Sequence, residues 1–391
     1  MFEQFEPLAT DPILGLSLAY QQDTNPHKVD LGVGVYKDEA GNTPVLQSVT
    51  AAQVRCHAQE TTKAYQSPAG DVVFNTEIQK LIFGADSPQL DRLKTLQTPG
   101  GCGALRVAAE VIVRAAPGAT IWVSRPTWAN HIPLLSSAGL KIKEYPYYQA
   151  DTQSLDVEGM LACLAQVPAG DLVLLHGCCH NPCGTDLTLE HWQAIADLAN
   201  KQGFTPFVDL AYQGFGEGLN DDAQGLRLLA DAVPEMLVAS SCSKNFGLYR
   251  ERVGALSVVG STVSAAANTF GQMQSVARGI YSMPPSHGAA LVATILTDAE
   301  LRQQWEGELA GMRIRIKQLR ENLAAALVPY GDFSFIPRQR GMFSFLGLNE
   351  TQVERLKTDF SVYMVGSSRI NLAGINQSNL MYLAESIGQV L

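Results

Sequence analysis

Lys244 stands in SSCSKNFGLYRERVG, just past the apolar run Leu237–Ala239, among small hydroxyl residues and eight positions before Arg252. A lysine at a strand end in a partly desolvated pocket has its pKa lowered, which makes it a Schiff-base nucleophile; a solvated surface lysine is the competing reading unless companions converge on it. In PFVDLAYQGF, Asp209 and Tyr212 come where a buried strand would close. A carboxylate there needs a charged or hydrogen-bonding partner, and an ordinary helix cap accounts for it equally well. TPGGCGALRVAAEVIV brings three glycines to the start of an amphipathic pattern. Close backbone approach and free N–H groups at a helix start favour an anion such as phosphate, although a plain glycine turn reads the same way.

HGCCHNPCG, His176–Gly184, invites a zinc reading through Cys178, Cys179, His180 and Cys183. Neighbours on an extended segment point to opposite faces, and no second Cys/His pair follows at ligand spacing, so no metal site is expected. Asn181 before Pro182 carries more information, because an Asn-Pro turn after a strand can hold an amide over a ligand. Arg278 in ARGIYSMPPSHG and Arg369 in SSRINLAG each sit in weakly charged surroundings. Guanidinium is shaped to take a carboxylate with two hydrogen bonds. For Arg369 and Asn371, alternation with Ile370 and Leu372 describes a solvated strand face just as well.

The elements that must position these residues follow a βαβ rhythm. Strands are expected at Thr120–Ser124, Lys141–Tyr145, Leu172–His176, Pro206–Leu210, Leu237–Ser240 and Ala255–Val259. Between two of them, Leu189, Trp192, Ile195, Ala196 and Ala199 fall on one helical face before Gly203. Such a pattern predicts a largely parallel sheet with ligands outside its carboxyl ends. From Asp298 to Leu327 one long helix leaves the sheet and stops at Pro329. Beyond it, Phe333–Ile336, Met342–Phe345 and Ile370–Leu372 read as strands between helices at Gln352–Asp359 and Gln377–Val390, a smaller α+β domain.

Length and composition suit a compact chain of two or three domains, or one large α/β core with a smaller attachment. Of 391 residues, 46% are hydrophobic and only 17% charged, which argues against extended disorder. The formal charge of −10 disfavours nucleic acid and anionic membrane surfaces. Glu3, Glu6 and Asp11 precede the first base, unlike a secretory signal, and no eighteen-residue apolar run occurs; a cytoplasmic location is expected. Seven cysteines read as reduced thiols.

Taken together, DPILGL, LGVGVYKDE, TPGGCGALR, PTWANH, HGCCHNPCGTD, DLAYQGF, SCSKNFGLYRERVGA, GMFSF and SSRINLAG resemble, in order and over essentially the whole chain, the class I aminotransferases of the aspartate and aromatic amino-acid subgroup. The resemblance implies a fold-type I pyridoxal-phosphate transferase. Its large domain, 44–310, would have a mostly parallel central sheet flanked by helices; a smaller α+β domain would combine 11–43 with 311–391, and 1–10 would be an arm embracing a partner. It implies that Lys244 carries pyridoxal 5'-phosphate covalently and shuttles the substrate proton. Asp209 would face the pyridinium nitrogen with His131 behind it, Tyr212 and Asn181 would bond the ring oxygen, and Trp128 would stack on the ring. The phosphate would be held by Gly101, Cys102, Ser241, Ser243, Arg252 and, across a homodimer, Tyr65. Arg369 would grip the substrate α-carboxylate with Gly34, Trp128 and Asn181 nearby, and Arg278 of the other subunit a distal carboxylate. Asn181-Pro182 and Arg125-Pro126 would be cis.

Departures from the family pattern bear on substrate. Cys102 replaces a hydroxyl residue in the phosphate loop. Val35, Lys37 and Thr43 look like the aspartate branch, whereas Ala64 and Met283 replace polar residues, and Ile13 and Leu14 can add apolar cover. The expectation is an aminotransferase acting on Phe, Tyr and Trp, and also on Asp and Glu, with 2-oxoglutarate as acceptor. The alternative is an aspartate aminotransferase with little aromatic activity. A lyase on the same scaffold, a cofactor-binding regulator and a zinc protein are weaker rivals.

Overall fold

A computed structural model describes residues 1–7 and 12–391, with the side chains of residues 12–14 left aside. The pocket roles expected of Ile13 and Leu14 therefore fall outside the described residues. The chain divides into two compact units, a larger one of Pro44–Arg315 with Gln339–Gly341 and a smaller one of Met1–Thr43, Ile316–Arg338 and Met342–Leu391.

The larger unit is built on seven strands: β1 (Leu93–Pro99), β2 (Thr120–Arg125), β3 (Lys141–Pro146), β4 (Leu172–His176), β5 (Thr205–Leu210), β6 (Met236–Ser241) and β7 (Val253–Val259). Their order across the sheet is β1-β7-β6-β5-β4-β2-β3. Only β7 runs antiparallel to its neighbours. Every residue of β4, β6 and β7 is buried, as expected for strands covered on both faces. Helices α1 (Gly100–Ala115) and α2 (Val263–Tyr281) cover one face; Leu105, Val107 and Ile112 of α1 pack with Met273 and Val276 of α2 into the sheet core. The helix Leu189–Gln202 buries Trp192, Ile195, Ala196 and Ala199, the face its periodicity predicts. It is bounded by a capping box between Thr188 and His191 and by Gly203 at φ 80°.

Strand β1 has no alternating apolar signal because its buried side chains include polar ones that find partners. Thr95 Oγ1 lies 2.7 Å from Ser257 Oγ, and Gln97 Nε2 donates to the Pro285 carbonyl at 2.7 Å.

The long helix α3 (Ala299–Leu327) contributes to both units. In the smaller unit the strand expected at Phe333–Ile336 does not form. The segment turns into a short 3-10 helix, Ile336–Arg338, with Ile336 N–H bonded to the Phe333 carbonyl and Arg320 Nη1 donating to the Ile336 carbonyl. Phe333 and Phe335 bury their rings without sheet pairing, so alternation alone misled the reading. Strands β8 (Phe343–Phe345) and β9 (Arg369–Asn371) do pair, antiparallel, with Phe345 opposite Arg369. All of β9 is buried, which rules out a solvated face for Arg369 and Asn371. Both expected X-Pro bonds, Arg125-Pro126 and Asn181-Pro182, are cis. Among the described residues no helix is long and apolar enough to cross a membrane.

Candidate active site

The carboxyl ends of β4, β5 and β6 bring the chemical residues of the larger unit together. His176 is in register with Asp209, and Asp209 with Ala239. Ser241 closes β6, and Lys244 follows three residues later. Its Nζ lies 4.6 Å from the centroid of the Tyr212 ring. Burial lowers the Lys244 pKa; Asp209 and Cys102 oppose the shift and Arg252 adds to it. A greater share of neutral amine follows at a given pH.

Asp209 is buried, and burial by itself would push its carboxyl up. The hydrogen bond from His131 and the electrostatic influence of His131, His176 and Lys244 outweigh that and hold it below the ordinary carboxylate value. His131 Nε2 is 3.0 Å from Asp209 Oδ2, and Thr127 Oγ1 is 2.8 Å from His131 Nδ1. Against an ionised Asp209, Nε2 carries the proton and Nδ1 accepts from the threonine hydroxyl. Trp128 sets its ring edge-on to His131, with centroids 5.2 Å apart. Behind them, His176 lies 5.2 Å from His131 and 4.0 Å from His180, which stacks on Tyr147. Burial brings the His176 pKa down to about 3, so the ring is neutral. Sequence reasoning gave no role to Thr127 or His176; the four-residue spacing of Thr127 and His131 was the available signal for the first.

An anion cradle adjoins the lysine. No side chain caps the first turn of α1, leaving its N–H groups available. Gly100 has φ +70°, and a Cβ there would fall 2.4 Å from Arg252 Nη2; one on Gly101 would come 3.3 Å from the Ser241 Cβ. Arg252 Nη1 donates to the Tyr249 carbonyl at 2.9 Å and to Ser243 Oγ at 3.4 Å, and Ser243 N–H donates to Ser241 Oγ at 3.2 Å. Half-buried Cys102 stands in this turn with Asn130 Nδ2 4.0 Å from its sulfur. Backbone N–H groups, two hydroxyls and a guanidinium form a donor set suited to a phosphate ester. Asn181 is buried in the loop after β4.

In that loop the reasoning from an extended segment fails. Cys179 has φ +50°, and the two sulfurs of Cys178 and Cys179 with a carboxylate oxygen of Asp222 lie within 4.8 Å of one another. Both Asp222 oxygens already accept backbone N–H groups.

The remaining expected residues are distributed as follows. Tyr65 is 93% exposed. Ala64, Tyr65 and Met283 line one cavity of about 920 Å³, and Met283 Sδ accepts from the Gln66 N–H at 3.2 Å. Arg278, exposed on the last turn of α2, makes no ion pair or hydrogen bond among the described residues. In the smaller unit the Arg369 guanidinium lies 4.5 Å over the Phe343 ring, and Arg369 Nη2 donates to the Gly32 carbonyl at 2.7 Å. A Cβ on Gly34 would meet the same Phe343 ring at 2.9 Å. Asn371 Nδ2 ties down this loop through the carbonyls of Val33 and Val35, each at 2.7 Å. Lys37 pairs with Asp30 at 2.7 Å, and Thr43 Oγ1 donates to the Tyr36 carbonyl at 3.0 Å.

Residues 26–387 match the family described as aminotransferase class I and II. The chain belongs to that family. The aminotransferase is 49% identical to the aspartate aminotransferase of Haemophilus influenzae over the full length of both chains. It is 50% identical to the aromatic-amino-acid aminotransferase of Pseudomonas aeruginosa, over 97% of this chain and 96% of that one. The crystal structure of the aromatic-amino-acid aminotransferase from Burkholderia pseudomallei, covalently bound to pyridoxal phosphate, superposes with a TM-score of 0.98 at 42% identity, covering 100% of this chain and 99% of that one. Its architecture is that of the fold-type I pyridoxal-phosphate enzymes, and pyridoxal phosphate is the cofactor of this aminotransferase. The anion cradle and the half-buried Lys244 fit that group: one set of donors for its phosphate, one amine for its aldehyde.

Proposed function

We propose that this aminotransferase transfers the amino group of aromatic L-amino acids, and of aspartate and glutamate, to 2-oxoglutarate, giving the 2-oxo acid and L-glutamate. The observation that carries the transamination chemistry is the half-buried Lys244 amine 4.6 Å from the Tyr212 ring, with Asp209 held by His131 nearby. Bound pyridoxal phosphate supplies an electron sink that makes the substrate α-proton acidic. Asp209, kept ionised, would face the ring nitrogen and favour its protonated form. Tyr212 and Asn181 would donate to the ring oxygen. Lys244, with its lowered pKa, would take the substrate α-proton on Nζ and hold it for return. Gly101, Cys102, Ser241, Ser243 and Arg252 would hold the phosphate, and Trp128 would cover the ring.

Arg369, with Gly34, grips the α-carboxylate. Arg278 and Tyr65 serve the site of a second subunit, so the active form is a homodimer; the exposure of Tyr65 and the absence of partners for Arg278 among the described residues support this. The aromatic preference rests on Ala64 and Met283, two apolar side chains lining the cavity that Tyr65 also lines. Lys37 and Thr43, which suggest the aspartate branch, are engaged with Asp30 and the Tyr36 carbonyl.

The test is the half-reaction. Purified holoenzyme is mixed with phenylalanine, tyrosine or aspartate without any 2-oxo acid, and the cofactor absorbance is followed by stopped flow. Aromatic donors reacting with an efficiency equal to or above that of aspartate support the reading. Reaction with aspartate and glutamate alone assigns the enzyme to the aspartate branch.

A further inference from the structure

Two carboxylates, Asp222 buried and Asp186 half-buried, have no part in the chemistry above, and each is devoted to main chain. Asp222 lies in the 3-10 turn Asp221–Ala223. Its Oδ2 accepts the N–H groups of Gly214 at 2.7 Å and Gly216 at 2.9 Å; its Oδ1 accepts those of Glu217 at 2.8 Å and Gly218 at 3.4 Å. The loop leaving Tyr212 is thus wound around one carboxylate. Gly216 cannot bear a side chain there, since its Cβ would fall 2.4 Å from Asp222 Oδ1.

Asp186 does the same for the other loop. Its Oδ2 accepts the Cys179 N–H at 2.7 Å and its Oδ1 the His180 N–H at 2.8 Å, the two residues immediately before Asn181. Gly341 packs on the outside of Cys179, where a Cβ would meet the Cys179 Cβ at 2.4 Å, and Arg340 N–H donates to the Gly184 carbonyl at 2.6 Å. Burial raises the Asp186 pKa to about 6; the two N–H donors and Arg340 lower it and Asp222 raises it. A fold that withdraws two mutually repelling acids from water gains something specific from each, and here each gain is the shape of one loop.

We propose that Asp222 and Asp186 are positioning residues for transamination: by fixing the main chain after Tyr212 and before Asn181, they set where those two side chains meet the cofactor. The proposal rests on the reading of Tyr212 and Asn181 given above. As positioning residues, neither carboxylate needs to touch substrate or cofactor. The asparagine variant of Asp222 keeps the volume but replaces one acceptor oxygen by a donor, which turns an N–H group towards the N–H groups it should receive. The loop then relaxes and carries Tyr212 with it.

The test uses the holoenzyme and reads the pH midpoint at which the bound cofactor's absorbance changes, a quantity that Tyr212 and Asn181 govern without turnover. Asp222→Asn is expected to bind one cofactor per chain and to move the midpoint by about one pH unit, the scale of one lost hydrogen bond. Tyr212→Phe gives the reference shift. If Asp222 acts through Tyr212, the double variant shifts no further than Tyr212→Phe alone. Additive shifts, or an unmoved midpoint in folded and loaded Asp222→Asn, overturn the proposal. A Tyr212→Phe enzyme with an unmoved midpoint removes the reading of Tyr212 itself, and the proposal with it. Should Asp222→Asn fail to fold, the corresponding cycle of Asp186→Asn with Asn181→Ala decides by the same criteria.

Discussion

Asp209 and His131 are joined by a 3.0 Å contact between Oδ2 and Nε2, and the far side of the imidazole is fixed by Thr127 at 2.8 Å. A buried carboxylate is thereby held charged at a place where burial alone would protonate it. The threonine selects the tautomer that makes the bond possible.

Replacing His131 by Phe removes the bond and leaves burial opposed only by the weaker influence of His176 and Lys244 on Asp209. The folded carboxyl titrates below its ordinary value, so the stabilisation of its charge is present above that value and is lost as pH falls through the folded pKa. In the variant that loss moves to higher pH. The acid limb of kcat/KM for aspartate should shift upward, with a fall of at least about 10-fold at neutral pH; a pH–rate profile of both enzymes checks it.

Cys102 offers a thiol where a hydroxyl would donate more strongly. Cys102→Thr should tighten binding of pyridoxal phosphate to the cofactor-free protein by about 3- to 10-fold, the scale of one net hydrogen bond. Equilibrium dialysis or fluorescence titration measures it. A looser threonine variant would show that the sulfur is not directed at the phosphate.

Met283 lines the same cavity as Ala64 and Tyr65. Met283→Asn should lower the ratio of kcat/KM for phenylalanine to that for aspartate by roughly 10-fold, since an amide offers the acidic substrate a partner and the aromatic ring none. An unchanged ratio would remove Met283 from the account of specificity.

Trp305 of α3 is fully buried, stacks on Phe246 with centroids 4.3 Å apart, and donates Nε1–H to the Asn245 carbonyl at 2.7 Å. It therefore clamps the two residues that follow Lys244. Trp305→Phe should lower stability by about 1–2 kcal/mol and Trp305→Ala by about 3–5 kcal/mol. Denaturant unfolding at fixed cofactor concentration measures both, because ligand binding itself shifts the midpoint.

The residues that make these arguments were unequally visible in the sequence. Lys244, Asp209 and the glycines of the first turn of α1 could be found from type and place, because strand ends in a parallel sheet collect ligands. Leu189–Gln202 was legible because one periodic face and two caps agreed. Strand β1 was not, since Thr95 and Gln97 find their partners at Ser257 and Pro285, far along the chain. Phe333–Ile336 imitated a strand because two buried rings alternate with a serine. Asp222 carries no signal in the sequence; only the folded loop reveals four N–H groups converging on it.

His176, Asp209 and Ala239 stand abreast on three adjoining strands in the middle of the sheet. A substitution in that rank disturbs two ladders at once, while Ala64 and Met283 lie in no strand at all. If Ala64 and Met283 set the substrate preference as proposed, that preference can change at the edge of the fold without disturbing the central rank of strands.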